Sequence, residues 1–199
     1  MYTPAEFSVP DRAVLHDFIR KYPFATLIGS QGGVSHLPLL LSAEGVVLRG
    51  HLARANPQAA ELSGSAPVLA IFHGPHAYIS PSIYLQHPSV PTWNYAVVHV
   101  RGEARALEDA ALWRLLVESV EAFEAGADSP WPLELPEDYR AEALARICGF
   151  EIRITALDGK FKLSQNRSLE EQDRVIAHLE RGDAGGRELA AFMRQVLTR

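Results

Sequence analysis

Hydrophobic and polar positions alternate through much of the first hundred residues, with short interruptions by turn-forming residues. Apolar runs at 24–30, 33–41 and 45–51 are separated by glycine-containing turns, a pattern that predicts a three-stranded antiparallel meander. Before them, Val14, Leu15 and Phe18 recur at helical spacing. This spacing predicts an opening helix that is capped by Asp11 and ends at Tyr22-Pro23.

The rest of the chain mixes further strands with helices. The pattern predicts a helix at 57–64, a strand at 67–74, an edge strand at 78–79 that leads into a proline-rich loop, and a central strand at 93–107. Helices are predicted from 109 to about 126, near 138–147, at about 168–181 and at 186–197. Between the second and third of these, a turn at Asp158-Gly159 predicts a late hairpin.

This order of elements indicates the fold class. Successive strands joined by short turns, with helices packed outside them, favour an α+β fold built on a small antiparallel barrel. A doubly wound sheet needs strands that alternate with crossover helices, and the first hundred residues lack that alternation. With 199 residues, the chain is expected to form a single domain, 1–199, whose C-terminal helices start at about residue 168.

Composition and charge narrow the function. A hydrophobic fraction of 47% and a charged fraction of 22% are typical of a soluble globular protein. The net charge of −5 disfavours unaided binding to nucleic acid. Cys148 is the single cysteine, so an intrachain disulfide is excluded. We find no secretion leader and no long apolar span, and we therefore expect a cytoplasmic protein without a membrane segment.

The segment RGHLARANPQ, residues 49–58, joins a predicted strand to a predicted helix. A phosphate group is bound by backbone N–H groups at a helix start together with a cationic side chain, and Arg54 is the natural bidentate partner. A purely structural interpretation is also open, in which Arg54 and Asn56 cap and solvate the turn.

Two other segments carry residues suited to binding a ligand. PTWNY, residues 91–95, places Trp93 and Tyr95 on one face of a strand and Asn94 on the other, an arrangement suited to a flat heteroaromatic ligand. Alternatively, Trp93 is a core residue. KLSQNR, residues 162–167, concentrates hydrogen-bond donors at a strand end, or else forms a solvated turn before a helix capped by Ser168.

Other chemistries lack support in the sequence. His73 and His76 have a spacing that occurs in metal sites, but no cysteine or carboxylate cluster accompanies them, so no metal site is predicted. No nucleophile elbow, zinc-protease motif or phosphate-binding P-loop occurs.

In order and spacing, these motifs resemble the PaiB family of FMN-binding proteins. The resemblance covers nearly the whole chain and includes MYTPAEF at the start, SHLPLLL at 35–41, GPHAYISPSIY at 74–84 and the three segments above. It implies an FMN-binding split β-barrel with peripheral helices, of the kind shared with pyridoxamine phosphate oxidase. It also implies a homodimer that holds FMN at the interface and a role as a negative transcriptional regulator.

The resemblance further implies the residues that bind FMN. The flavin ring would be lined by backbone groups of His36, Leu37, Pro38 and Leu39. The phosphate end would be bound by His51, Arg54, Asn56 and Gln58. Trp93, Asn94 and Tyr95 would lie near the ring, and Gln165, Asn166 and Arg167 would complete the pocket.

The chain departs from the family pattern at one loop. Ile83 stands where relatives carry tryptophan, and the loop 84–91 is shorter than in relatives, so the substrate or effector is not fixed by the resemblance. Two functions follow. Flavin is the ligand or redox sensor of a repressor that acts on DNA or through a partner, or the protein is an FMN-dependent oxidoreductase that takes electrons from NAD(P)H or another donor.

Overall fold

The computed structural model of the chain describes residues 1–62 and 64–197, which form eight strands and six helices. The strands are β1 (Ser8–Val9), β2 (Phe24–Gly29), β3 (Val34–Pro38), β4 (Leu40–Leu41), β5 (Val47–Ala53), β6 (Ala66–Ile79), β7 (Thr92–Ala106) and β8 (Ile147–Lys162). The helices are α1 (Arg12–Lys21), α2 (Pro57–Leu62), α3 (Asp109–Glu124), α4 (Glu137–Ala145), α5 (Leu169–Glu180) and α6 (Ala184–Leu197).

The strands form one hydrogen-bonded sheet, which confirms the predicted antiparallel α+β split-barrel fold. Its order is β3-β2-β6-β7-β8-β5-β4, and β1 pairs with β8 outside this path. The predicted central position of the long strand is confirmed, because β7 lies between β6 and β8. All six helices occur close to their predicted positions, and the Asp11 carboxylate accepts a hydrogen bond from the Ala13 amide at 2.8 Å, as expected of a cap.

The predicted three-stranded meander is wrong. β3 pairs with β2, but β4 pairs with β5, and these two pairs stand at opposite ends of the strand order. The break lies at Leu39. Pro38 has no N–H to donate, and the Leu39 amide donates to the Pro23 carbonyl at 2.9 Å, so the chain leaves one ladder before it enters the other.

The predicted late hairpin is also wrong, because β8 runs without a turn through Asp158 and Gly159. Val9 of β1 pairs with Gly159, and a Cβ atom at Gly159 would lie 2.2 Å from Cδ2 of Leu15. The glycine therefore permits close approach of the N-terminal segment and does not serve a turn.

The two strands predicted at 67–74 and 78–79 form one strand of 14 residues, β6. β2 pairs with β6 from Val68 to Phe72 only. Pro75 lies beyond that register, where its missing N–H interrupts no hydrogen bond to β2.

The chain divides into two compact units. The first unit comprises Met1–Phe18, His73–His99 and the residues from Asp158 onward, and the second comprises Ile19–Phe72 and Val100–Leu157. In the first unit, the rings of Phe18, Phe161 and Phe192 form a cluster with centroids 5.1–5.9 Å apart. This cluster attaches α6 to β8.

The second unit contains α2, α3 and α4. Its fully buried side chains include Leu27, Phe72, Leu112, Leu115 and Phe150. Arg49 of β5 and Glu118 of α3 form two hydrogen bonds, at 2.5 and 3.3 Å, which fix α3 along the strand. Of the helices in the described residues, none is long and apolar enough to span a membrane.

Candidate functional site

The β5–α2 corner in the second unit is organised by Asn56. Its Oδ1 accepts a hydrogen bond from the Gln58 amide at 2.9 Å, and its Nδ2 donates to Oγ of Ser35 on β3 at 3.0 Å. Asn56 therefore caps α2, as in the structural interpretation, and also holds β3 against this corner. The predicted segments 36–39 and 54–58 are brought together in this way.

Gln58 lies in the same corner and is buried. Its Nε2 donates to the carbonyl of Gly33 at 3.0 Å and to that of Leu27 at 3.4 Å. Its Oε1 is buried and has no hydrogen-bond partner among the described residues. An unpartnered buried acceptor is costly, so this oxygen is suited to a donor from a bound molecule.

Arg54 makes structural contacts that the sequence did not indicate. Its Nε donates to the Ala145 carbonyl at 3.0 Å and its Nη2 donates to the Ile147 carbonyl at 2.8 Å. These hydrogen bonds hold the β5–α2 corner against the end of α4 and the start of β8. A guanidinium carries five N–H donors, so an exposed part of the fork remains for an anion.

The predicted ring-lining segment alternates in burial. Leu37 and Leu39 are buried, whereas His36 is exposed and its Nδ1 lies 3.1 Å from Oγ1 of Thr26. The amide of Leu39 is already bonded to Pro23, and Pro38 has no amide hydrogen. At Pro38 and Leu39 the backbone can therefore accept hydrogen bonds from a ligand through its carbonyl groups, but it has no free N–H group to donate.

His51 does not face the rest of the predicted phosphate end. It lines a cavity of about 380 Å³ whose walls come from β5, α3 and α4, and Pro38 also lines this cavity. Arg54, Asn56 and Gln58 do not line it. Burial lowers the pKa of His51 from its ordinary value of 6.5, so the imidazole is uncharged at neutral pH.

The second predicted set lies in the first unit. Asn94 is buried and donates to Oγ of Ser164 at 2.9 Å, which joins β7 to the segment after β8. Trp93 is 53% exposed, so its interpretation as a core residue is wrong. The expected alternation is present, with Asn94 inward and its two aromatic neighbours outward.

Trp93 belongs to an aromatic surface. Its ring centroid lies 6.0 Å from that of Tyr78 and 6.2 Å from that of His76. Tyr95 joins Trp93 and His76 in lining an open cavity of about 360 Å³. Aromatic side chains arranged around an open cavity can stack on a flat ring system.

Cationic side chains adjoin this aromatic surface. Lys160 lies 5.5 Å from the centre of the Tyr95 ring, and Nζ of Lys162 donates to Oγ1 of Thr92 and, at 3.0 Å, to the Trp93 carbonyl. The pKa of Lys162 is lowered, first by burial and then by the charges of Lys160 and Arg167. Three neighbouring cations favour an anionic ligand group.

The late segment supports the site in different ways. Arg167 stacks on the ring of Tyr84 at 4.1 Å. Gln165 accepts a hydrogen bond from the Leu163 amide at 2.6 Å and donates to the Phe161 carbonyl, so its amide group stabilises its own turn. Asn166 is exposed. Ser168 caps α5 by accepting a hydrogen bond from the Glu171 amide, as its alternative interpretation held.

Sequence reasoning missed two residues of this surface and undervalued a third. Lys160 and Tyr78 were not predicted to contact a ligand, and Lys162 was noted as a donor of the KLSQNR segment but not named as a binding residue. The signal available was their spacing, since Lys160 and Lys162 are two residues apart on β8 and Tyr78 follows His76 by two residues on β6.

The residue types present fit FMN. The first unit offers aromatic rings with cations beside them, and the second offers a guanidinium and a buried acceptor. Aromatic rings suit the planar ring system of a flavin, and cationic side chains suit its anionic phosphate. Within the described ranges, no three His, Cys, Asp or Glu side chains are grouped to hold a metal ion.

Comparison with known proteins agrees with this chemistry. The protein is 34% identical over 205 residues to "Protease synthase and sporulation protein PAI 2" of Bacillus subtilis, covering 99% of this chain and 98% of the relative. It is 32% identical to the uncharacterized protein AN0679 of Emericella nidulans over 88% of this chain and 84% of the relative.

Solved structures of flavoproteins share the fold. The flavocytochrome Anf3 of Azotobacter vinelandii aligns with a TM-score of 0.64 at 13% identity, over 84% of this chain and 75% of that one. The FAD and heme binding protein of Mycobacterium smegmatis aligns with a TM-score of 0.60 at 16% identity, over 83% and 78% of the two chains.

The family described as "Putative FMN-binding domain" matches residues 1–156. Together with the full-length similarity to the Bacillus subtilis protein, this match confirms the predicted flavin cofactor and the resemblance found in the sequence. The chain belongs to the PaiB-type family of FMN-binding proteins.

Proposed function

We propose that this FMN-binding protein is a negative regulator of transcription in which flavin is the ligand or redox sensor. The observation that carries the proposal is the identity of 34% along essentially the whole of a relative named for protease synthesis and sporulation. Both are processes that bacteria control at the level of gene expression. Of the residues predicted above, Arg54, Asn56 and Gln58 are proposed to bind the phosphate of FMN.

Regulation is proposed to act through a partner or a metabolite and not through direct contact with DNA. In the helix pair α5 and α6, Nε of Arg194 donates to Glu180 at 2.8 Å and Nη1 of Arg187 donates to the Gly182 carbonyl at 2.5 Å. Arginines held in this way are poorly available to phosphates. The net charge of −5 also opposes association with DNA.

A homodimer is part of the proposal. Phe24 and Val34 stand on neighbouring strands of the second unit and are 63% and 56% exposed, although both are large and apolar. An isologous pairing of two chains would cover such surface. Sedimentation should then give a mass about twice the 21.9 kDa of one chain.

An FMN-dependent oxidoreductase is the second candidate. The cation cluster of Lys160, Lys162 and Arg167 favours it, because positive charge beside a flavin stabilises the reduced, anionic form. Electrons would come from NAD(P)H or another donor and pass to a small molecule.

One set of measurements separates the two candidates. The freshly purified protein should show the visible absorption of flavin, and mass spectrometry should identify the released compound as FMN. Rapid bleaching by NADPH, with turnover of an electron acceptor, would favour the oxidoreductase. A flavoprotein that NADPH reduces slowly and that captures a regulatory partner would favour the regulator. Retention on promoter DNA that weakens steeply with salt would refute the indirect route.

A further inference from the structure

The cavity that contains His51 is not lined by Arg54, Asn56, Gln58 or any residue of the aromatic surface, although Pro38 of the predicted ring-lining segment borders it. It lies within the second unit, has a volume of about 380 Å³ and is walled mainly by apolar side chains of α3, α4 and the connector between them. These include Trp113, Leu116, Val120, Phe123, Leu133 and Leu144. Small-molecule sites commonly measure about 300–1,000 Å³ and are lined in this way.

Most polar groups on the wall are engaged elsewhere. Oγ of Ser119 donates to the carbonyl of Leu115 at 2.7 Å within its own helix, and Oε2 of Glu124 accepts from the Trp131 amide at 3.0 Å. Arg140 stacks over the Trp113 ring at 5.1 Å. A charged ligand would lose its hydration against walls that are mainly apolar, where the charged side chains are Arg140 and Glu124.

His51 is the exception. Its ring has no hydrogen-bond partner among the residues that the structure describes. Since burial lowers its pKa, the imidazole in the cavity is neutral and offers one donor and one acceptor.

We infer that this cavity binds a second ligand, an uncharged and mainly apolar ring compound whose single hydroxyl or carbonyl group forms a hydrogen bond with His51. Trp113 and Phe123 on the wall favour an aromatic ring. The inference does not depend on the proposed regulatory role, nor on flavin being bound.

The test uses 2-naphthol, with naphthalene as the same ring without the hydroxyl, in equilibrium dialysis against the purified full-length protein. Both should bind saturably, and 2-naphthol should bind about fivefold more tightly, as one hydrogen bond of about 1 kcal/mol provides. His51→Phe should abolish this preference. Wild-type protein that binds neither compound, or that binds both equally, would overturn the inference.

Ala143 and Ala141 provide a matched pair on α4, because Ala143 lines the cavity whereas Ala141 is exposed and does not. Ala143→Phe should weaken 2-naphthol binding at least about tenfold by filling the cavity, and Ala141→Phe should leave it within about twofold. Retained flavin absorbance in Ala143→Phe would show that the variant is folded and that the cavity is separate from the flavin site. If free FMN displaces 2-naphthol competitively, the cavity belongs to flavin and the inference of a second ligand fails. If the protein binds 2-naphthol but no flavin, the proposed function fails and this inference stands.

Discussion

Glu171 on α5 fixes the loop that follows β6, and its replacement gives a sharp test of the structure. The side chain is 1% exposed, and Oε1 accepts hydrogen bonds from the amides of Leu85 at 3.0 Å and Gln86 at 3.1 Å. Nη1 of Arg167 lies 4.0 Å from its Oε2. Glu171→Ala removes the acceptor of two loop amides and the carboxylate beside Arg167.

The magnitude follows from these contacts. Two hydrogen bonds to a charged acceptor amount to about 3–6 kcal/mol in total. Two effects reduce this sum. In the variant, water can hydrate the two freed amides, because Leu85 and Gln86 are exposed. The variant also avoids the free-energy cost of burying the Glu171 carboxylate. We expect Glu171→Ala to lower the free energy of unfolding by about 2–4 kcal/mol. Glu171→Gln keeps one oxygen for both amides and should lose only about 1 kcal/mol.

Urea unfolding measures these differences, and amide hydrogen exchange at Leu85 and Gln86 reports whether the loop is released. Glu170→Ala is the matched control, because Glu170 is adjacent in sequence but exposed, and it should change stability by less than about 0.5 kcal/mol. If Glu171→Ala is as stable as this control, or if exchange at the two amides does not accelerate, the assigned role of Glu171 is wrong.

Other positions give shorter tests. Arg54→Ala should weaken FMN binding at least about tenfold, equivalent to about 1.4 kcal/mol, in a fluorescence titration, and unchanged affinity would remove Arg54 from the site. Gly159→Ala should lower the free energy of unfolding by about 1–3 kcal/mol, because its Cβ would lie 2.2 Å from the Leu15 side chain. Adding Leu15→Ala should relieve this clash. Unchanged stability of Gly159→Ala would contradict the packing of Leu15 against Gly159. The lowered pKa of His51 means that the unfolded chain takes up a proton first as pH falls below 6.5. Stability should therefore decrease from pH 7 towards pH 5, and urea unfolding of His51→Phe should show a smaller decrease; equal pH dependence in both proteins would exclude this effect.

The sequence predicted the helices and the approximate positions of most strands along the chain, because hydrophobic spacing and caps are local signals. The helix beginning after Ser168 illustrates this, since its cap and its apolar face are both visible in the residues themselves. The pairing of strands is not a local property. Pro38 in the run 33–41 is a local signal for a break, but nothing in the run indicates that the Leu39 amide bonds to Pro23 and that the two halves join different ladders.

The hairpin predicted at Asp158-Gly159 was wrong for a related reason, since the role of the glycine depends on residues distant in sequence. This dipeptide favours a hairpin turn, but here the glycine allows β1 and α1 to approach β8. The candidate site residues were chosen from motifs, and the contacts of their side chains could not be read from those motifs. Arg54 illustrates the difference, because its bonds to Ala145 and Ile147 join positions about ninety residues apart in sequence.

Ser164 shows what this site demands of its sequence. It is the one residue other than glycine with a positive φ in the described ranges, at 66°, and its hydroxyl is bonded to Asn94. If position 164 is randomised and folded variants are selected, asparagine, aspartate and glycine should be enriched. Valine, isoleucine and threonine should be depleted, since branching at Cβ disfavours the left-handed backbone conformation. When positions 94 and 164 are randomised together, the selected residues should covary, because the side chains at the two positions form a hydrogen bond with each other.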